Sequence, residues 1–327
     1  MTTIRDVAAL AGVSLGTVSR VLAGSPATSA ESRQRVAAAV AQLGYLPNAR
    51  AGSLRRAKTD VVGILISDVR NPFFAELAHA AEQEALRRGY VVMLANADED
   101  AAQEQLYLRT FSAQRVDGVL MAPQSKDRVH LDRLIGTGLP VVFVDRVLPG
   151  LDVPSVTSDN VGGMRSALEY LVARGHRRIG YVGGPAPVST AIDRLDAFVH
   201  LRAELGLPDD ESLVQEGDFR AESGAAAVDR MLASGSAPTA VLAADGLMAL
   251  GALAALRRHG VRDKIELMSF DDLAWFEELT PPVSAIANDA TAMGREGMAA
   301  LLDAVEGGRP VSVTVPTRLV DRRGAGS

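Results

Sequence analysis

The 327-residue sequence contains no cysteine, and its five histidines, at positions 79, 130, 176, 200 and 259, lack the paired spacing of metal ligands. These absences exclude disulfides and thiolate metal sites, and they fit a reducing compartment. No apolar run approaches the roughly 18 residues of a membrane-spanning helix, and the first residues lack a signal-peptide profile. The sequence predicts a cytoplasmic protein with no membrane partner.

Catalytic motifs are also scarce. One pentapeptide, Gly12-Val13-Ser14-Leu15-Gly16, fits the G-x-S-x-G pattern of a nucleophile elbow. An elbow requires a strand before the serine, whereas here helical patterns flank it on both sides. We therefore predict a protein that is not an enzyme and that holds neither a cofactor nor a metal.

Charge is divided unevenly along the chain. Residues 1–60 carry eight Lys and Arg against three Asp and Glu, while the remaining 267 residues carry 26 against 37. The net charge of −6 hides a basic amino terminus, which indicates a nucleic-acid partner for that end. The length and the 47% of hydrophobic residues predict two or three domains.

The basic end has the pattern of a helix-turn-helix. Thr3 and Asp6 have the spacing of a capping box, Gly12 permits a turn, and Ser14 caps a second helix. A third helix begins near Ser29 and ends at Gly44. The second helix buries Val18, Val21 and Leu22, so its outward residues are Leu15, Gly16, Thr17, Ser19 and Arg20.

Beyond residue 60, short β-branched runs alternate with helical stretches. The runs are 61–66, 90–94, 118–121, 141–144, 179–182, 240–243 and 265–268. Buried strands separated by helices predict parallel sheets, either one large sheet or two smaller ones. Asn71-Pro72 is a strong helix start after the first run, because Asn caps and Pro fits the first turn.

These residues and motifs resemble the LacI/GalR family of bacterial transcription regulators. The resemblance rests on motifs that occur in the expected order along nearly the whole chain. They include Thr17-Val18-Ser19-Arg20-Val21-Leu22, Leu43-Gly44-Tyr45-Leu46-Pro47-Asn48, Asn71-Pro72-Phe73-Phe74, Val144-Asp145-Arg146, Gly175-His176-Arg177-Arg178-Ile179 and Phe270-Asp271-Asp272.

The resemblance implies an α/β protein with a three-helix helix-turn-helix headpiece at residues 1–46 and a hinge helix or linker at 47–60. A two-lobed core with parallel sheets, like a periplasmic binding protein, follows at 61–327. Lobe one is expected at about 61–160 and 290–320, and lobe two at about 161–289 and 321–327. The ligand is expected between them.

Roles at the DNA end follow from the same resemblance. Arg20 is expected to read guanine, Leu15 to contact a thymine methyl and Gly16 to allow close approach. Thr3, Ser19 and Ser29 are candidate phosphate contacts, with helix capping as the alternative. Ser14 and Thr17 complete this surface. In the hinge, Asn48 and Ala51 accompany Leu54, which matches the family's wedge residue for the minor groove.

The effector site is expected to combine an aromatic wall with arginines and carboxylates, a set that suits a polyhydroxylated ligand. Two departures from the family, Asp245-Gly246 and Ser269, suggest an altered ligand. Charge pairing between the lobes is the alternative role for these groups, and packing is the alternative for Trp275. The candidates are Asn71, Phe73, Phe74, Arg146, Asp159, Arg194, Phe219, Asp245, Asp271 and Trp275.

We therefore predict a homodimeric repressor of carbohydrate-utilisation genes that a sugar-like effector releases from a near-palindromic double-stranded DNA operator. Two alternatives are a solute-binding receptor of a transport system and a regulator with a nucleobase or nucleoside co-repressor.

Overall fold

A computed structural model describes residues 2–22, 25–45, 58–124, 128–235 and 237–324. The chain divides into two compact units, Met1–Thr59 and Asp60–Ser327. The predicted hinge residues Asn48, Ala51 and Leu54 lie outside the described residues. Within the described ranges, no helix combines the length and apolar character needed to cross a membrane.

The amino-terminal unit contains α1 (Ile4–Ala11), α2 (Leu15–Leu22) and α3 (Ala30–Leu43). The predicted capping box is present at α1, where Thr3 and Asp6 exchange hydrogen bonds, and Gly12 adopts the left-handed conformation that ends this helix. A small apolar core holds the three helices together. It is formed by Val7, Ala8, Ala11, Val18, Val36 and Ala39.

The first six-stranded sheet has the order β11-β5-β4-β3-β1-β2, and all of its strand pairs are parallel. We call this sheet with its helices lobe one. Its strands are β1 (Val61–Ile66), β2 (Val91–Asn96), β3 (Val119–Met121), β4 (Val141–Val144), β5 (Ser155–Ser158) and β11 (Val313–Val315). Its helices are α4 (Pro72–Arg87), α5 (Ala101–Gln114), α6 (Val129–Gly136) and α11 (Ala290–Val305).

The second sheet, in lobe two, has the order β12-β10-β9-β8-β6-β7, and only the β10–β12 pair is antiparallel among its described pairs. Its strands are β6 (Ile179–Gly183), β7 (Val214–Glu216), β8 (Ala240–Ala243), β9 (Glu266–Phe270), β10 (Ser284–Ala287) and β12 (Arg318–Val320). Its helices are α7 (Asn160–Ala173), α8 (Ser189–Glu204), α9 (Ala221–Ala233) and α10 (Gly246–Arg258).

The chain passes between the lobes three times. The passages follow β5, β10 and β11, so they lie at about residues 159, 288 and 316. The third passage comes before residue 320, the predicted end of lobe one, because Arg318–Val320 already pairs with β10 of lobe two. Two sheets, one parallel and one parallel except for the β10–β12 pair, are joined by three crossovers. This arrangement confirms the predicted fold class and brings the carboxyl ends of strands from both lobes to a common cleft.

Glycines allow close packing between helices in both lobes. A methyl group at Gly294 of α11 would collide with the carbonyl oxygen of Leu77 in α4. In lobe two, a methyl group at Gly251 of α10 would collide with the carbonyl oxygen of Ala221 in α9. These helix pairs therefore depend on the missing side chain rather than on turn geometry.

We expect Gly251→Ala to destabilise the core by about 1–3 kcal/mol, because overpacking outweighs the better helix propensity of alanine. Gly136→Ala in α6 is the matched control, since nothing lies within 4 Å of its added methyl group. Urea unfolding monitored by circular dichroism measures both. Equal stability of the two variants would contradict the packing role of Gly251.

Candidate functional site

The outward face of α2 is the candidate DNA-reading surface. Leu15 is 44% exposed although it is a large apolar residue, and Arg20 is also exposed. Ser14 caps α2 by accepting a hydrogen bond from Thr17 N at 3.1 Å, and its hydroxyl lies 2.9 Å from that of Thr17. Val18 faces the core, so the helix has the predicted inward and outward sides.

Gly16 and Arg20 are neighbours on this exposed face. Arg20 Nε donates to the carbonyl oxygen of Gly16 at 3.2 Å, and no described residue accepts a hydrogen bond from its two terminal nitrogens. A methyl group at Gly16 would contact only Ser14 Oγ, at 3.8 Å. Packing within the headpiece therefore does not require glycine at this helical position, where it costs about 1 kcal/mol.

Two of the three candidate phosphate contacts already cap helices. Thr3 and Ser29 cap α1 and α3 through their hydroxyls, and Ser19 is half-buried. Capping does not consume every lone pair of a hydroxyl. A phosphate role for these residues stays a prediction.

The inter-lobe cavity is formed where strands of both sheets end. Asn71 follows β1, Asp245 follows β8 and Asp271 follows β9. Thr190 and Arg194 of α8 also line the cavity. The full lining is Asn71, Phe73, Phe74, Asp145, Arg146, Thr190, Arg194, Phe219, Asp245 and Asp271.

Arg146 is the cation that lobe one contributes to the cavity lining. Its terminal nitrogens form a two-point contact with Glu99, both distances being 2.7 Å, and Nη1 also donates to Gln124 Oε1 at 2.6 Å. Its guanidinium lies 5.7 Å from the ring centre of Phe74 and 5.2 Å from that of Phe219 in lobe two. The buried Nε makes no hydrogen bond within the described residues, but it lies 3.6 Å from Asp145 Oδ2, within ion-pair distance.

Arg194 is the cation that lobe two contributes to the cavity lining, and it is 3% exposed. Nε donates to Asn160 Oδ1 at 2.9 Å, and Nη1 donates to the carbonyl oxygen of Ala244 at 2.5 Å. Its guanidinium carbon lies 3.8 Å from the ring centre of Phe270. These contacts fix the guanidinium as part of the cavity wall.

The carboxylates outnumber these two cations. Burial raises the pKa of Asp145 to about 6. Burial, followed by repulsion from Asp271, raises the pKa of Asp245 to about 8. Burial also raises the pKa of Asp271. A low dielectric penalises the ionised form of each group, so the closed cleft favours protonated carboxyls.

Backbone strain is concentrated around the same cavity. Asp145, Phe219 and Asp271 have φ angles of 64°, 63° and 71°, in the left-handed region that glycine normally occupies. The adjacent Asp98 and Glu99 have φ angles of 53° and 58°. Such strain persists where surrounding contacts enforce it, and it is typical of ligand sites.

Several direct contacts join the lobes across the cleft. Asn71 Nδ2 donates to Asp245 Oδ2 at 3.3 Å, and Val147 N donates to Ser189 Oγ at 2.9 Å. Arg220 Nη2 donates to the carbonyl oxygen of Asp98 at 3.0 Å. The cavity volume is only about 20 Å³, which is close to the room needed by one water molecule. A larger ligand therefore requires the lobes or the lining side chains to move.

Eight of the ten predicted effector residues lie around this cavity, and two do not. The Asp159 carboxylate caps α7 by accepting from Gly162 N at 2.9 Å, and the neighbouring Asn160 contacts Arg194 instead. Trp275 packs edge-on against Phe276, with ring centres 4.7 Å apart.

Sequence reasoning missed two lining residues, Asp145 and Thr190, and the partner Glu99. Asp145 stands within the quoted Val144-Asp145-Arg146 motif, so its position directly after β4 was an available signal. Thr190 and Glu99 lack a comparable signal, because only the fold brings their segments to the cleft.

A helix-turn-helix headpiece and a two-lobed core with a cleft at its strand ends define a ligand-responsive, DNA-binding transcription regulator. Residues 59–322 match the periplasmic binding proteins and sugar-binding domain of the LacI family, and residues 3–48 match the bacterial regulatory proteins of the lacI family. The chain belongs to the LacI family.

Full-length relatives agree with this assignment. The chain is 35% identical to the ribose operon repressor of Bacillus subtilis, covering 94% of this chain and 92% of the relative. It is 36% identical to the HTH-type transcriptional regulator CelR of Thermobifida fusca, covering 97% and 95%. These relatives are transcription regulators, not enzymes.

Two solved structures share the architecture. The lac repressor dimer bound to operator and the anti-inducer ONPF has a TM-score of 0.88 at 29% identity, with 100% of this chain and 99% of that chain covered. The CelR–cellobiose complex has a TM-score of 0.73 at 32% identity, with 98% and 99% covered.

The raised pKa of Asp245 predicts a pH-dependent stability. A carboxyl whose pKa is higher folded than unfolded contributes stability that is fully present below about pH 4, its unfolded value, and lost as pH rises toward about 8. Carboxyls with lowered pKa values, such as Asp68 and Glu266, act in the opposite sense near pH 4. We therefore expect the melting temperature to fall between about pH 6 and 8, with a smaller fall in Asp245→Asn.

Asp263→Asn, at an exposed position, is the matched control and should retain the full pH dependence. Differential scanning calorimetry at constant ionic strength provides the measurement. An unchanged pH slope in Asp245→Asn would contradict the assignment of the titration to this residue.

Proposed function

We propose that this chain is a homodimeric, cytoplasmic repressor whose headpieces bind a near-palindromic operator controlling carbohydrate-utilisation genes. A neutral, sugar-like effector binds between the lobes and releases the operator. The observation that carries this proposal is a cavity in which both lobes contribute aromatic rings, arginine and carboxylates, in a chain that also carries a helix-turn-helix.

The charges of the cavity favour a neutral effector. Arg146 is already paired with Glu99, and Arg194 already donates to Asn160 and Ala244. Arg146 is therefore neutralised by direct contact, whereas Arg194 donates only to uncharged acceptors and shares its charge with the three aspartates of the lining. Asp145, Asp245 and Asp271 would repel an anion when ionised, whereas each can accept hydrogen bonds from neighbouring sugar hydroxyls.

The named relatives support the same class. One is a ribose operon repressor, and a solved structure is a complex of CelR with cellobiose. A nucleobase or nucleoside is the second candidate, because Phe73, Phe74 and Phe219 provide ring faces within the lining. Both ligands are neutral and carry hydrogen-bonding edges.

Release of the operator requires that the effector binds two states of the core with different affinity. The small cavity and the Asn71–Asp245 contact describe a closed state that excludes a sugar ring. An effector that inserts there must separate these groups. We propose that the resulting change in the relative orientation of the lobes alters the spacing of the dimer's hinge segments and lowers their affinity for DNA.

A thermal-shift screen tests the effector class. We expect neutral sugars or nucleosides to raise the melting temperature and sugar phosphates to leave it unchanged, because stabilisation reports binding to the folded state. Asp271→Asn should weaken the hit at least about tenfold, equivalent to about 1.4 kcal/mol. Asp272→Asn, whose carboxylate pairs with Arg322 outside the cavity, should bind normally. Preferential stabilisation by sugar phosphates would contradict the proposal.

A second experiment tests DNA reading by Arg20. Arg20→Lys keeps the charge but loses the two-pronged donor that guanine recognition uses. We expect it to weaken binding to an operator selected from random duplexes by about 1–3 kcal/mol, with little effect on a scrambled duplex. Fluorescence anisotropy at fixed salt measures both, and Arg33→Lys is the control because Arg33 Nη1 donates to the Thr28 carbonyl oxygen. Equal losses on both duplexes would contradict base-specific reading by Arg20, and no loss on either duplex would show that Arg20 contributes only charge.

A further inference from the structure

We propose that lobe one contains a second small-molecule site, separate from the effector cleft, in the groove between α5 and α6. Its ligand is a small organic anion with an apolar body, carrying either a carboxylate or a phosphate. This goes beyond the proposed function, because the site lies on other elements and would bind a ligand of different charge.

The groove has the size and lining of a small-molecule site. Its volume is about 280 Å³, which approaches the lower end of the range for ligand pockets, about 300 Å³. The buried side chains of Leu108 and Leu134 form an apolar floor between the two helices. Thr137 and half-buried His130 contribute polar atoms at the walls. Such a floor favours a flat apolar body with a polar group at one end.

The mouth of the groove is positively charged. Arg109 and Arg133 are exposed at its edge. The partner of Arg109 is uncharged Gln105, at 3.1 Å, and no described carboxylate lies within ion-pair distance of Arg133. Neither arginine therefore has a described acidic partner that offsets its charge at the mouth of the groove. They can bind one carboxylate or phosphate at two points.

A buried hydrogen-bond chain connects the groove with the effector cleft. His130 Nε2 lies 2.9 Å from Glu104 Oε1, and Glu104 is fully buried. Glu104 Oε2 accepts from Gln124 N at 2.6 Å, and Gln124 Oε1 accepts from Arg146 Nη1 at 2.6 Å. Each residue from His130 to Arg146 is therefore hydrogen-bonded to the next one in this chain. A ligand that displaces His130 therefore perturbs the arginine that lines the cleft.

Isothermal titration of the full chain with benzoate, phenyl phosphate and neutral benzyl alcohol tests the site. We expect one or both anions to bind saturably and benzyl alcohol to bind at least about tenfold more weakly. A preference between the anions identifies the ligand's charged group. Arg109→Gln with Arg133→Gln should weaken the anion at least about tenfold, and Arg295→Gln, whose partner is the neighbouring Glu296, should not.

The same titration separates this site from the effector cleft. Asp271→Asn should leave anion binding unchanged even if it abolishes binding of a sugar. Absence of saturable anion binding, or binding that survives loss of both groove arginines, would overturn the proposed site.

Hydrogen exchange measured by mass spectrometry tests the connection without a known effector. With saturating anion, we expect amide exchange to slow about threefold or more in segments 101–114 and 129–137 of the groove. We expect the same slowing in the cleft segment 141–148. Protection limited to the groove would overturn the coupling to Arg146. No protection in the groove would overturn the site itself.

Discussion

Burial of carboxylates between the two lobes is the constraint on which the behaviour of the core depends. Asp145, Asp245 and Asp271 line a cavity of about 20 Å³, and burial raises the pKa of each. Arg146 and Arg194 offset this burial only in part, because their strongest contacts are with Glu99, Asn160 and a backbone carbonyl. A closed cleft with incompletely compensated charge can be shifted by any ligand that satisfies those groups better.

This constraint explains why a sensor of this kind separates its two functions. The cleft stores strain and unfavourable charge, while the headpiece has a conventional apolar core and well-formed caps. In the proposed function, the headpiece supplies the base contacts and the core supplies the response to the effector. The glycine-dependent packing of α4 with α11 and of α9 with α10 brings these helix backbones into close contact within each lobe.

Much of the fold was accessible from the sequence because its signals are local. The Thr3–Asp6 capping box, the left-handed Gly12 and the Asn71-Pro72 helix start each depend on a few adjacent residues, and the structure contains all three. The two-sheet organisation was not derivable from the strand pattern, which fitted one sheet equally well, and it came from the family resemblance. Contacts between distant segments were harder still. The Asn71–Asp245 hydrogen bond joins residues 174 positions apart. Likewise, Asn160 contacts Arg194, whereas the predicted Asp159 caps α7.

In the proposed function, occupation of the cleft and binding of the operator oppose each other. Because such coupling is reciprocal, its most direct test is the effector's dissociation constant measured by calorimetry with and without saturating operator duplex, at one salt concentration. We expect operator to weaken the effector by the same factor, at least about tenfold, by which the effector weakens operator. An effector affinity that is unchanged by operator would contradict the coupling.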